Sequence, residues 1–120
     1  MDYVNYVIFA LILIFIVQRF IPVKGVKNIS TAELKTELKD KSKQFVDVRT
    51  TGEFKGNHIQ GFKNIPLHTI GQKAAKELSV DKEVIVICQS GMRSQKAAKT
   101  LKKLGFSHVT NVKGGMSAWR

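Results

Sequence analysis

The apolar positions of this chain fall into one long run followed by several short ones. Residues 6–17 are apolar without interruption, and between 3 and 21 only Asn5, Gln18 and Arg19 break the pattern. A helix of that length spans roughly 28 Å, near the thickness of a hydrocarbon core. Tyr3 and Tyr6 at one end and Arg19 at the other stand where interfacial anchors stand, and Pro22 is placed to stop the helix. The pattern predicts a transmembrane helix within residues 1–23 and a linker over 24–28. A cleaved signal peptide fits less well, because only Asp2 precedes the run and no small-residue cleavage pattern follows it. A buried core helix would carry a polar stripe, which this run lacks. Arg19, Lys24 and Lys27 follow the run, so the positive-inside rule predicts a single-pass protein with its N-terminus outside and its domain in the cytoplasm.

The remaining apolar positions come in short periodic pieces. Residues 26–29 can form an edge strand. Ser30-Thr31-Ala32-Glu33 has the form of a capping box, predicting a helix over 31–38. A β-prone stretch covers 44–48, a turn of helix 51–55, and a loop 56–66 with a short strand near Asn64-Ile65. A helix is predicted over 72–78. Residues 83–88 contain Val-Ile-Val-Ile, a continuous run of the kind buried on both faces of a parallel sheet. Residues 89–92 form a polar turn. Ala97, Ala98, Leu101 and Leu104 then mark one face of a helix over 93–104, with Gly105 as its C-cap. A strand follows at 108–112, and Gly114-Gly115 turns into a short closing segment. Strands alternate with helices, which predicts an α/β fold with a mainly parallel sheet.

Composition narrows the class. Of the 120 residues, about 95 follow the first run, enough for one compact domain over 29–120. Net charge is +11. Arg19, Lys24 and Lys27 against Asp2 leave the first thirty residues at +2, so the other ninety carry +9. The lysines are dispersed, without a basic tract, an aromatic platform or zinc-finger spacing, so no nucleic-acid partner is expected. Anionic lipid headgroups and anionic substrates suit the charge equally well. One cysteine excludes an internal disulfide and any multi-cysteine zinc site. It leaves an inert buried thiol or a nucleophile, and a lone thiol suits a reducing compartment.

The stretch Cys88-Gln89-Ser90-Gly91-Met92-Arg93-Ser94 carries the chemistry. It lies between a buried strand and a helix, where parallel sheets bind ligands. A tight turn there aims successive N–H groups inward as an anion-binding nest, and the following helix adds positive potential. A thiolate at Cys88 is stabilised by those dipoles and by Arg93. This order of strand, cysteine, loop, arginine and helix favours the nucleophile over the inert thiol.

The chain resembles the rhodanese-like single-domain sulfurtransferases. The matching pieces stand in the family's order: residues 45–49 (Phe-Val-Asp-Val-Arg), Glu53-Phe54, residues 56–66 with Gly56, His58, Ile59, Gly61 and Pro66, residues 84–88 with the loop, Ala97-Ala98 through Leu104-Gly105-Phe106, and residues 112–119 ending in Trp119. Phe62 where the family has Ala, and Asn57 between Gly56 and His58, are departures. The resemblance implies a five-stranded, mainly parallel sheet flanked by helices, here preceded by the N-terminal helix. It implies that Cys88 accepts sulfane sulfur as a persulfide, from thiosulfate or a persulfide donor, and passes it to a thiol or protein acceptor. The loop groups from Gln89, Ser90, Gly91, Met92, Arg93 and Ser94 would hold the terminal sulfur, and Arg93 and Arg49 would guide an anionic donor. No metal or cofactor is implied.

Asp47 and Arg49 read first as an ion pair bracing the loop, with Arg49 the one of the two placed to meet substrate. His58 reads as a structural hydrogen-bonder rather than a base. Trp119 reads as a packing residue. Cysteine phosphatases and arsenate reductases also place a thiolate before a helix, but on a longer loop than the four residues between Cys88 and Arg93. A non-enzymatic persulfide carrier or docking module remains as the alternative, because the same persulfide serves both.

Overall fold

The computed structural model describes residues 2–20 and 25–120, and for 18–20 the backbone. The helix stop at Pro22, the basic residue Lys24 and the Arg19 side chain lie outside the described residues.

Residues 2–20 form α1 (Asp2–Phe20), whose described side chains are all exposed, from 43% at Val17 to 84% at Tyr3 among the large apolar ones. The expectation of a membrane span is not met: among the described residues no helix is long and apolar enough to cross a membrane. The physical reason lies in the polar residues at its ends. Asp2 and Asn5 interrupt the first turns and Gln18-Arg19 the last, leaving an unbroken apolar run of 12 residues. Such a run makes roughly 18 Å of helix against the ~30 Å of a hydrocarbon core. The transmembrane anchor, the membrane partner and the single-pass topology with a cytoplasmic domain are corrected accordingly.

The domain follows the predicted alternation. Its elements are β1 (Val26–Ile29), α2 (Thr31–Glu37), β2 (Gln44–Asp47), α3 (Thr51–Gly56), β3 (Lys63–Asn64), a 3-10 turn (Leu67–Thr69), α4 (Ile70–Glu77), β4 (Val84–Ile87), α5 (Met92–Lys103), β5 (Val109–Val112) and α6 (Gly115–Ala118). β1 runs through the segment expected as a linker, at the place where an edge strand was also readable. The five strands form one sheet in the order β1-β5-β4-β2-β3, and every pair is parallel. β4 is therefore central, with β5 on one side and β2 on the other.

The central strand shows why its sequence lacks polar alternation. All four residues of β4 are buried. Val84, Val86 and, just beyond, Cys88 pack with Ala97, Ala98 and Leu101 of α5, Ala74 of α4, and Phe106. Ile85 and Ile87 point the other way, into a cluster with Leu34 of α2, Ile59, Phe62 and Val112. Period-2 side chains thus feed two separate cores, and both faces must be apolar.

Helix starts follow local chemistry. Ser30 caps α2 and Thr50 caps α3, each in a reciprocal box with a glutamate three residues on, Glu33 and Glu53. α4 starts two residues before the predicted helix, at Ile70, which is buried and supplies an apolar contact that the hydrophilic 71–73 stretch does not announce. The predicted turn stands at 113–114, and the short closing segment after it is α6.

Burial on both faces makes a testable statement about β4. Ile85→Ala and Val86→Ala should each destabilise the domain, by about 3 and about 2 kcal/mol respectively. Urea unfolding of the two variants checks this, and a near-neutral effect at either position would mean that one face of β4 is not core.

Candidate functional site: the loop after the central strand

Parallel strands deliver their carboxyl ends to one edge, and four of them converge on this loop. β4 delivers Cys88, which is fully buried. β2 delivers Asp47 and Arg49, β5 delivers Asn111 and the Gly114-Gly115 pair, and β1 delivers Asn28.

The sulfur sits inside the turn. Gly91 N–H donates to Cys88 Sγ at 2.9 Å, and Ser94 Oγ lies 3.4 Å from the same sulfur. Gly91 has φ 103°, the left-handed conformation that only glycine adopts without strain, and it caps α5. Ser94 is fully buried on the first turn of α5 and also reaches the Gly91 carbonyl at 3.0 Å and Asn111 Oδ1. Asn111 Nδ2 in turn donates to Asn28 Oδ1 at 3.1 Å. A polar chain therefore runs from the thiol across β5 to β1 beneath the loop.

The loop is held from above by α6. Met116 N–H donates to the Cys88 carbonyl at 2.8 Å and Ser117 N–H to the Gln89 carbonyl at 2.9 Å. This approach is possible only because residue 115 has no side chain. A Cβ on Gly115 would lie 2.2 Å from the Cys88 carbonyl oxygen and 2.9 Å from Gln89 backbone atoms.

Arg49 and Asp47 form a buried pair. The Arg49 Nε is 3.1 Å from both Asp47 carboxylate oxygens and its Nη2 is 2.8 Å from Oδ2. Arg49 also donates to the Asn57 carbonyl at 2.7 Å and reaches Gln89 Oε1 at 3.5 Å. With 1% exposure Arg49 braces the loop, which is the first of the two roles read from sequence. Asn64, at the end of β3, donates to the Asp47 and Arg49 carbonyls and fixes the exit of β2.

Arg93 is oriented away from the role of a free guide. Its guanidinium makes a two-pronged contact with Glu53 of α3, at 2.7 and 3.0 Å. Arg93 holds the Glu53 carboxyl down at about 2, with the Thr50 amide assisting. Glu53 in turn raises the Arg93 pKa, through their hydrogen bonds first and their opposite charges as well. His58 stacks on Phe54, with ring centres 3.9 Å apart, and its Nδ1–H donates to the Phe54 carbonyl at 2.8 Å. Gln89, Ser90 and Met92 form the exposed rim, with Met92 60% exposed. Among the described residues no three His, Cys, Asp or Glu side chains come close enough to hold a metal ion.

Glu53, Asn64, Asn111 and Gly115 belong to the site although sequence reading gave them no role in it. Glu53 stood only among the residues that carry the family resemblance, and its partner Arg93 is 40 residues away. The glycine pair was visible as a turn, and the close backbone approach explains its second member.

This geometry matches a known group of proteins. The sequence model of the rhodanese-like domain matches residues 30–120. The chain belongs to the rhodanese-like domain family. It is 35% identical over 114 residues to the uncharacterized Bacillus subtilis protein YqhL, covering 94% of this chain and 88% of that one. It is 36% identical over 97 residues to the thiosulfate sulfurtransferase GlpE of Shewanella oneidensis, covering 78% and 91%. The crystal structure of a rhodanese-like domain protein from Staphylococcus aureus superposes with a TM-score of 0.72 at 37% identity, covering 78% of this chain and 91% of that one. Sulfur transfer is thus an activity of the family to which this rhodanese-like domain belongs.

Two outcomes follow for this rhodanese-like domain. Gly115→Ala should force α6 off the Cys88 and Gln89 carbonyls and destabilise the fold by about 3 kcal/mol, read by urea unfolding. Glu53→Gln keeps the cap geometry but loses the charge. The Glu53 pKa is depressed in the folded state, so its contribution is complete above the unfolded value of 4.5 and disappears as pH falls towards about 2. The stability gap between wild type and Glu53→Gln should therefore be present at pH 7 and close across that interval, the gap being modest because the pair is about one-third exposed.

Proposed function

We propose that this protein is a sulfurtransferase in which Cys88 is the sulfur-carrying nucleophile of the 29–120 domain. The observation that carries the reading is the Cys88 sulfur held by the Gly91 N–H at the carboxyl end of the central strand, beneath a loop that opens to solvent at Gln89, Ser90 and Met92. Donors are of two kinds, thiosulfate and persulfides. With thiosulfate the Cys88 thiol takes the outer sulfur, the S–S bond breaks, and hydrogen sulfite leaves with the thiol proton. With a persulfide R–S–SH, the Cys88 sulfur forms the new S–S bond and R–SH leaves. In both the product is Cys88–S–S–H or its anion, and no external oxidant is required. A nucleophilic acceptor, a small thiol or a protein cysteine, then attacks the terminal sulfur and regenerates Cys88.

The buried position of the thiol is compatible with this exchange. A sulfur bonded to Sγ stands about 2 Å further out, towards the rim. The backbone groups of residues 89–94, with Ser94 below, are suited to surround that anionic atom. Asp47, Arg49 and His58 support the loop rather than take part in bond changes.

Incubation of the protein with thiosulfate or a persulfide, followed by intact-mass measurement and cyanide-dependent thiocyanate release, tests the assignment. Wild type should gain one sulfur atom that reductant removes. Cys88→Ser should gain none and lose at least about a thousand-fold in thiocyanate release, since an alcohol at this position cannot hold sulfane sulfur. Uptake without turnover would identify a carrier instead of an enzyme, and no uptake from any donor would refute Cys88 as the sulfur site.

A further inference from the structure

We infer that the exposed face of α5 is a docking ridge for an acidic protein segment that exchanges sulfur with Cys88. The inference rests on the sulfurtransferase reading and adds the surface by which a protein partner is chosen.

Lysines that are dispersed in sequence are brought into line by helix geometry. At about 3.6 residues per turn, Met92, Lys96, Lys99 and Lys103 fall on one stripe of α5, opposite the buried Ala97 and Leu101. The stripe is exposed along its whole length. Among the described residues none of its lysines forms an ion pair. α5 has no acidic residue of its own, whereas α2, α3 and α4 contain Glu33, Glu53 and Glu77. Like charges three and four positions apart weaken a helix, so the folding of α5 gains nothing from this arrangement. The charges that complement it lie outside the chain.

The ridge starts at the site. Met92 opens α5 on the rim of the Cys88 loop and is 60% exposed. Lys103 lies roughly 17 Å further along the helix. Exposed Lys113 adds a cation on the β5 side of the loop, where its chain neighbours pack against Gly91: a Cβ there would be 3.5 Å from the Gly114 nitrogen and 3.8 Å from the Val112 carbonyl oxygen. Arg93, on the α3 side, is taken up by Glu53. Unpaired cations therefore border the mouth and lead away from it along α5. A chain with negative charge along its length and a thiol at one end fits that layout, and Met92 offers its thiol end an adaptable apolar contact. No aromatic residue stands on α5 for unpaired bases to stack on, which favours a protein over a single-stranded nucleic acid. In the exchange the partner thiol attacks the outer sulfur of Cys88–S–S–H, the S–S bond breaks, Cys88 leaves as its thiol, and the partner becomes R–S–S–H.

Sulfur transfer from the full-length protein, loaded at Cys88 with polysulfide, tests the ridge. The acceptors are a peptide with one cysteine followed by about six glutamates, enough to span the ridge at roughly 3.3 Å per residue, the same peptide with glutamines, and β-mercaptoethanol. Intact mass follows the loss of sulfur from Cys88. The quantity read is the ratio of second-order rate constants for the glutamate and glutamine peptides, compared with wild type so that the intrinsic difference between the two thiols cancels. Lys96→Gln, Lys99→Gln and Lys103→Gln together should lower the ratio about ten-fold at low salt. Lys39→Gln, Lys41→Gln and Lys82→Gln together remove equal charge from exposed positions before β2 and β4, at the far edge of the sheet, and should leave it within about two-fold. Transfer to β-mercaptoethanol should stay within about two-fold throughout, and added salt should bring wild type towards the ridge variant. A ratio unchanged in the ridge variant, or lowered as much in the control, overturns the inference. A ridge variant that keeps the ratio but loses affinity for a structured RNA replaces the protein partner with a nucleic acid. Failure of Cys88 to load, or to pass sulfur to β-mercaptoethanol, overturns the sulfurtransferase reading and the inference with it.

Discussion

The site depends on satisfying two carbonyls. As the chain leaves β4 at Cys88 and Gln89, its carbonyl groups lose their strand partners in the middle of the molecule, where an unpaired backbone oxygen is costly. The amides of Met116 and Ser117 supply the missing donors. They can do so because Gly115 lets the α6 backbone lie against the loop at a distance no other residue allows. With its carbonyls turned up into α6, the loop has its amides available on the opposite side, and the Gly91 N–H points at the sulfur. One missing Cβ, 27 positions after the cysteine, thus sets the direction of the loop.

Charge is arranged by the same logic of local completion. Each arginine near the sulfur is tied to its own carboxylate, Arg49 to Asp47 in the interior and Arg93 to Glu53 nearer the surface. The inner pair joins β2, the Asn57 segment and Gln89, so it fixes position. The outer pair joins α3 to the first turn of α5. In a protein of net charge +11, the two arginine pairs of the site thus add no net charge of their own. Bulk charge and local charge are different quantities, and it is the local one that a reacting sulfur meets.

Much of this was legible in the chain. The apolar run of β4, the capping box at Ser30, and the spacing of Ala97, Ala98 and Leu101 each rest on local rules, and each element stands within a residue or two of its expected place. The cysteine loop was legible because its strand–turn–helix order is local as well. What sequence could not supply were partnerships between distant segments. Arg93 read as a free cation since Glu53 is far away in sequence, and Gly115 read as an ordinary turn since the carbonyl it approaches is equally remote. The N-terminal helix is a different case. Its run of apolar residues invited a membrane reading that counted helix length through Asn5, Gln18 and Arg19, whereas the uninterrupted part alone is too short.

Beneath the loop, Ser94 poses a problem of proton counting. Its hydroxyl has a single proton, and within reach are the Gly91 carbonyl, the Asn111 carboxamide oxygen and the Cys88 sulfur. A neutral thiol can donate to Ser94, leaving the hydroxyl proton for Asn111. A thiolate cannot donate, and the best use of that proton is then the sulfur. The change needs rotation about one C–O bond, with the Asn111 and Asn28 carboxamides able to exchange donor and acceptor ends behind it. The backbone of the loop, fixed by α6 on one side and the sheet on the other, has no part in it. A rigid loop over an adjustable hydroxyl can hold one sulfur in either charge state, which is what the sulfur-carrying role proposed for Cys88 would require.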